Sequence, residues 1–144
     1  MHTVTLAPFT VVGIEARTSN QREMSPDGLI PVVWARIMQA TVPHRADNDL
    51  VALYTDYESD HNGQYTFVLG AKVTEVTELP EGMVARQVPG AAYAVYDVPP
   101  GPPQTVVPQT WEQIWTDKTL TRALTTDFEL YTDSRIQIHI ATKS

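Results

Sequence analysis

Cysteine is absent from this 144-residue sequence. Its absence excludes a disulfide framework, a thiolate nucleophile and a cysteine-based metal or iron–sulfur site. No run of about eighteen apolar residues could form a membrane-spanning helix. The first residues, MHTVTLAPF, contain no basic segment followed by an apolar one, as a signal peptide would. We therefore expect a soluble cytoplasmic protein without a membrane partner.

Basic residues are few and scattered. Ten Lys and Arg stand against seventeen Asp and Glu, so the formal net charge is −7. Without a basic stripe to follow a phosphate backbone, direct nucleic-acid binding is not expected. An acidic surface attracts cations over short distances, although many ordinary soluble proteins carry a similar charge.

Common cofactor signatures are also absent. The four histidines share no metal-ligand spacing, so we predict no metal site. The sequence contains no P-loop, no Rossmann glycine pattern and no G-x-S-x-G motif. We accordingly expect no cofactor and assign no catalytic residue.

The chain contains an internal repeat. The pentapeptide ALYTD at 52–56 returns as ELYTD at 129–133, with only its first residue changed. The same offset of 77 positions relates four pairs of residues: Pro31 and Pro108, Trp34 and Trp111, Ile37 and Ile114, and Tyr54 and Tyr131. The repeat predicts one domain, 1–144, built from two similar halves of about 1–78 and 79–144.

Residue patterns in the first half predict the order β-α-β-β. A β-branched, apolar strand covers 9–18, and a helix over 29–39 follows a polar loop. DLVALYTDYE and QYTFVLGAKVTEV are predicted as two strands joined in a hairpin at Asn62-Gly63.

The second half is predicted to repeat that order. MVARQVPGAAYAVYDV reads as one strand, TWEQIWTD lies within a helix, and DFELY and RIQIHIAT are strands joined by a shorter hairpin. PPGPPQ at 99–104 is predicted to be a stiff connection, because proline does not fit inside a helix. Two such units must share a core, which predicts one pseudo-twofold α+β domain with a groove between the copies.

Glu129 is the informative difference between the two pentapeptides. Residues two apart in a strand share a face, so Asp127, Glu129 and Tyr131 point one way, while Phe128 and Leu130 point the other way. Either face suits a core, and both could be covered. A carboxylate in an aromatic groove would suit a flat, lipophilic organic cation. The plainer interpretation is a solvated Glu on an edge strand.

The motif W-x-x-I-W followed by D-F-E-x-Y resembles the GyrI-like effector-binding family. It is matched here by Trp111, Ile114, Trp115, Asp127, Phe128, Glu129 and Tyr131. That family includes ligand-binding domains of AraC-type and MerR-type multidrug regulators and stand-alone integron cassette proteins. The resemblance implies duplicated β-α-β-β units, an antiparallel sheet with two helices, and a central pocket.

The resemblance also implies a function. The pocket would bind lipophilic, cationic, drug-like molecules through a buried glutamate, the position carried onto Glu129. The sequence has no helix-turn-helix segment, so any link to transcription would require a separate DNA-binding protein.

Seven further residues are candidates for the ligand site: Trp34, Trp111, Trp115, Tyr54, Tyr131, Tyr93 and Glu58. The two equivalent tryptophans, Trp34 and Trp111, either form a symmetric core or line the pocket. Tyr93 and Tyr96 face opposite sides of one strand, so only one of them can face the pocket. Glu58, at a hairpin mouth, is a second acid or simply a solvated side chain.

The leading interpretation is therefore a binding module for cationic small molecules. The alternative is a hydrolase of electrophilic toxins that uses Glu129 as a general base. A third possibility is an adaptor that docks through PPGPPQ, although a rigid connection is the simpler interpretation of that segment.

Overall fold

Eight strands and three helices follow one another in a computed structural model that describes residues 2–60 and 62–143. The strands are β1 His2–Leu6, β2 Phe9–Ser19, β3 Leu50–Thr55, β4 Gln64–Val73, β5 Val84–Val88, β6 Ala91–Asp97, β7 Arg122–Tyr131 and β8 Ile136–Thr142. The helices are α1 Asn20–Glu23, α2 Ile30–Ile37 and α3 Pro103–Thr116. Within these described residues, no helix has the length and apolar character needed to cross a membrane.

All eight strands form one antiparallel sheet in the order β1-β6-β8-β7-β3-β4-β2-β5. The two halves meet where β3 pairs with β7, and the order of strands outward from this pair is equivalent on both sides. The predicted α+β fold with an antiparallel sheet and pseudo-twofold halves is confirmed.

The first strand of each half pairs with the other half. β1 lies beside β6 and β5 lies beside β2, so each half lends one edge strand to its partner. The predicted single strand over MVARQVPGAAYAVYDV is in fact divided into β5 and β6 around Pro89 and Gly90. Pro8 separates β1 from β2 in the same way, because a proline has no N–H to continue a strand ladder.

The helices differ from the prediction in two respects. α1 is a single additional turn, begun by the Ser19 side chain, which accepts a hydrogen bond from the Arg22 amide at 3.1 Å. α3 begins at Pro103, inside the segment predicted to be a connection, and it contains Pro108. That part of the prediction was wrong because the first turn of a helix needs no N–H from Pro103.

The last hairpin is shorter than the first, as predicted: residues 132–135 join β7 to β8, whereas residues 56–63 join β3 to β4. Asn62-Gly63 does not form a two-residue turn, because the Glu58 amide bonds to the Gln64 carbonyl across a longer loop. The predicted turn also includes His61, which lies outside the described residues. The longer loop contributes Tyr57 to the cavity described below.

Both faces of the central strands are covered. On one face, residues of β3 and β4 pack with Val33 and Ile37 of α2, and Ile138 and Ile140 of β8 pack with α3. The opposite face holds a core made from strand residues, in which Phe128 packs with side chains such as Leu53. Glu129 therefore lies on the face covered by the helices.

Candidate functional site

A cavity of about 780 Å³ lies where the two halves meet, between the helices and the central strands. Three pairs of residues that are identical at the repeat offset line it: Pro31 and Pro108, Trp34 and Trp111, and Tyr54 and Tyr131. Equivalent positions of both copies thus contribute to the cavity, as expected for a groove at the junction. Its size suits a drug-sized ligand.

Glu129 is the buried acid of this cavity. Its residue is 2% exposed, and β7 places it directly opposite Ala52 of β3. One carboxylate oxygen, Oε2, accepts hydrogen bonds from Tyr54 Oη at 2.8 Å and from Trp111 Nε1 at 2.7 Å. The other, Oε1, accepts one from Tyr131 Oη at 2.6 Å. Both halves therefore contribute donors to a single carboxylate.

Two opposing effects act on the pKa of Glu129. Burial raises this pKa above its usual range, because a low-dielectric environment disfavours the charged form. The hydrogen bonds from Tyr131, Trp111 and Tyr54 act in the opposite direction. Burial and the nearby acid also raise the pKa values of Tyr54 and Tyr131, so both phenols keep the protons that they donate.

Aromatic side chains of each half contact aromatic side chains of the other half. The ring of Trp34 meets that of Tyr131 edge to face at 4.9 Å, and the equivalent Trp111 meets Tyr54 at 5.1 Å. Trp115 lies one helical turn after Trp111, and the centroids of the two rings are 6.5 Å apart. Such contacts hold the rings in fixed positions around the carboxylate.

Six of the eight candidate residues line the cavity: Glu129, Trp111, Trp115, Tyr131, Tyr54 and Trp34. The other two do not. Tyr93 is fully buried in the opposite core, where its ring meets Phe128 and its hydroxyl bonds to the Pro89 carbonyl. Tyr96 does not replace it, because it donates to Asp117 beside α3. Glu58 is exposed in the loop after β3.

A second polar cluster was missed by the sequence analysis. Asp127, fully buried, accepts hydrogen bonds from Tyr57 Oη, from the Ala141 amide at 2.9 Å and from Arg122 Nη2 at 2.7 Å. Burial raises the pKa of Asp127 against the opposing effect of Arg122. Tyr57 and Arg122 line the cavity. One signal was available, since Asp127 replaces Leu50 at the repeat offset.

Glu23 is a further carboxylate in the cavity wall. Its oxygens accept hydrogen bonds from the backbone amides of Leu29 and Ile30 and from the Thr18 hydroxyl. These contacts satisfy the first amides of α2 and tie the preceding loop to β2. Glu23 thus has a structural role that Glu129 lacks.

Comparison with known proteins identifies similar sequences. The family model described as Cass2, integron-associated effector binding protein, matches residues 3–142. The "Putative transcriptional regulator protein YobU" of Bacillus subtilis is 35% identical over 144 residues, which cover 91% of this chain and 90% of that protein. The transcriptional regulator BrlR of Pseudomonas aeruginosa is 30% identical over 127 residues, which cover 85% of this chain but 44% of BrlR.

Solved structures share the fold. The integron cassette protein VCH_CASS2 from the mobile metagenome of Vibrio cholerae is 28% identical, with a TM-score of 0.84 over 99% of this chain and 95% of that chain. SAV2435, solved bound to tetraphenylphosphonium, is 19% identical, with a TM-score of 0.79 over 99% and 93% of the two chains.

Proposed function

The chain belongs to the Cass2 family of integron-associated effector-binding proteins, and we propose that its effector is a lipophilic organic cation held by Glu129. The ligand would enter the cavity between the two halves. Its positive charge would interact with the Glu129 carboxylate and compensate for the hydration that this buried group has lost. The flat aromatic walls would hold the apolar body of the ligand. Charge and size would set its specificity more than shape.

One observation carries this proposal: a buried carboxylate lies in an aromatic cavity, and among the described residues no basic side chain donates a hydrogen bond to it. Tyr54, Trp111 and Tyr131 orient Glu129 through neutral groups. Neutral donors stabilise the carboxylate but leave its charge uncompensated, so a cation gains a strong electrostatic partner in a low-dielectric site.

The aromatic rings add a second attraction for cations. Trp and Tyr faces attract positive charge through their electron-rich π systems, and the effect is larger where water is excluded. A phosphonium or ammonium centre with aryl substituents would use both the rings and the carboxylate. The tetraphenylphosphonium bound by SAV2435 has this chemistry, which supports the same ligand class here.

A link to transcription is the second part of the proposal. YobU and BrlR are named as transcriptional regulators, and this chain spans less than half of BrlR. We propose that ligand occupancy is transmitted to DNA through a separate DNA-binding protein.

The test is titration of tetraphenylphosphonium into the wild type and Glu129→Gln, followed by isothermal calorimetry and tryptophan fluorescence. Gln keeps the shape of Glu and a carbonyl that accepts from Tyr54 and Trp111. We expect saturable binding by the wild type and affinity at least tenfold lower in the variant, or about 1.4 kcal/mol.

Glu58→Gln is the matched control, because it removes the same charge from an exposed loop residue outside the cavity. Its affinity should equal that of the wild type. Equal affinities in all three proteins, or no binding in any of them, would reject the proposed role of Glu129.

The hydrolase alternative is less well supported by the geometry. Both oxygens of Glu129 already accept hydrogen bonds, and Oε2 accepts two. A general base needs a lone pair directed at water, whereas a counter-ion benefits from fixed orientation. The three donors occupy most of the roughly four lone-pair sites of the carboxylate, so the donor set favours binding over hydrolysis.

A further inference from the structure

Arg122 is a basic side chain in the wall of a cavity whose proposed ligand is a cation. Its side chain is 13% exposed and lines the same cavity as Glu129. Repulsion from a free guanidinium would weaken cation binding. The salt bridge to Asp127 offsets that charge, because Nη2 lies 2.7 Å from a carboxylate oxygen.

The position of Arg122 depends on an irregularity in β7. Residues five apart in a regular strand are roughly 16 Å apart and point to opposite faces, yet Arg122 contacts Asp127. Pairing with β8 moves from Arg122–Thr142 to Asp127–Ile140, so additional residues bulge from β7. Leu124 within the bulge has a φ of 56°, a strained conformation for a bulky residue. Bulges of this kind often redirect side chains beside binding sites.

The equivalent arginine in the first half has a different environment. Arg45 stands at the repeat offset from Arg122, but it is exposed and bonds to the carbonyls of Asp47 and Asp49. The equivalent of Asp127 is Leu50, which offers no charge. In the described part of the chain, the second half therefore brings an arginine to the cavity and the first half does not, and the buried Asp127 bonds to that arginine.

The hydrogen-bonding capacity of Arg122 is not fully used. Its Nε atom is buried and has no hydrogen-bond partner among the described residues. A buried donor without an acceptor destabilises the folded state, because its lost hydration is not replaced. The part of the side chain that remains exposed lies in the cavity wall, where the planar fork of the guanidinium suits a carboxylate on the ligand.

Arg122 and Glu129 would thus contact opposite charges of one ligand. Asp127 and Glu129 are two residues apart on one strand face, which places their Cα atoms roughly 6.6 Å apart. We propose, resting on the proposed cation site at Glu129, that Arg122 is a second ligand contact and that the preferred ligands are zwitterions: lipophilic cations that also carry a carboxylate or similar acceptor a few bonds from the positive centre.

The test uses two phosphonium probes that differ in one group. Carboxybutyl-triphenylphosphonium is zwitterionic at neutral pH, and pentyl-triphenylphosphonium is a simple cation of similar size. With Glu129 alone, an added carboxylate on the ligand should weaken binding strongly. We expect the wild type to bind the zwitterion at least as tightly as the pentyl cation.

Two variants isolate Arg122. Arg122→Met combined with Asp127→Asn removes both charges of the buried pair, and the affinity for the zwitterion relative to the pentyl cation should fall at least tenfold. Arg122→Lys keeps a charge beside Asp127 but lacks the planar fork, so the ratio should fall at least threefold. Arg45→Met is the matched control in the first half and should leave the ratio unchanged.

The outcomes separate this inference from the proposed function. Tight binding of the pentyl cation with strong rejection of the zwitterion, or an unchanged ratio in the Arg122 variants, overturns the role of Arg122 and leaves the cation site intact. Failure of both probes to bind the wild type overturns the cation site and this inference together.

Discussion

Ala52 and Glu129 are paired directly across β3 and β7, and each is also the other's counterpart in the repeat. The pseudo-twofold axis therefore passes through this pair. A symmetric pair of glutamates here would place two buried carboxylates directly opposite each other, where like charges repel. With alanine in one copy, a single charge occupies the axis, and Tyr54 and Tyr131 reach it from both halves.

Restoring symmetry by Ala52→Glu should destabilise the protein. Ala52 is fully buried, so the substitution adds both volume and a second charge. Ala52→Gln has nearly the same volume and isolates the effect of the charge. We expect Ala52→Glu to be less stable than Ala52→Gln by roughly 2 kcal/mol or more at neutral pH, and the difference to shrink in acid. Urea unfolding at two pH values measures it; equal stabilities would contradict the argument.

Cation binding should weaken as the pH falls. Burial raises the pKa of Glu129, so acid protonates the carboxyl and removes the charge that the ligand needs. Below that raised pKa, binding should release one proton, because the cation favours the carboxylate. Calorimetry of tetraphenylphosphonium binding in buffers of different ionisation enthalpy measures this proton. Glu129→Gln should release none; proton release that persists in this variant would assign the titration to another group.

Tyr131→Phe should shift the midpoint of the pH profile of cation binding to higher pH. The Tyr131 hydroxyl is a donor to Glu129 Oε1, and its loss removes an interaction that lowers the pKa of the acid. The ring that contacts Trp34 remains. Affinity should fall a few-fold at neutral pH and further in mild acid. Tyr93→Phe, in the opposite core, should leave the midpoint of the pH profile in place, and a shift of equal size there would point to a general structural effect.

Glu129 should make the unliganded protein less stable as the pH rises, whereas the same rise in pH should strengthen cation binding. Because its pKa is raised in the folded state, the folded protein holds this proton more tightly than the unfolded chain. Stability from this group is complete below the unfolded pKa and is lost as pH rises through the folded pKa. Glu129→Gln should thus become progressively more stable relative to the wild type as the pH rises from mild acid to neutral. Paired denaturant titrations measure this, and a constant difference would show that the folded and unfolded pKa values are alike.

Several conclusions required only the sequence. The offset of 77 positions relates whole segments, and the alternation of side chains in a strand depends on neighbours along the chain, so both are visible without coordinates. They predicted the duplicated α+β fold and marked Glu129 as a charge without a counterpart. The resemblance to the effector-binding family is likewise confirmed by the family model.

The tertiary structure decided which residues meet. The pairing of β3 with β7 brings Tyr54, Tyr131 and Trp111 to one carboxylate. The bulge in β7 turns Arg122 toward Asp127, and the opposite face buries Tyr93 beside Phe128. These contacts depend on strand register and on packing between residues far apart in the chain. No local pattern of the sequence specifies which of these distant residues will meet. The sequence alone could therefore identify the acid but not its complete set of partners.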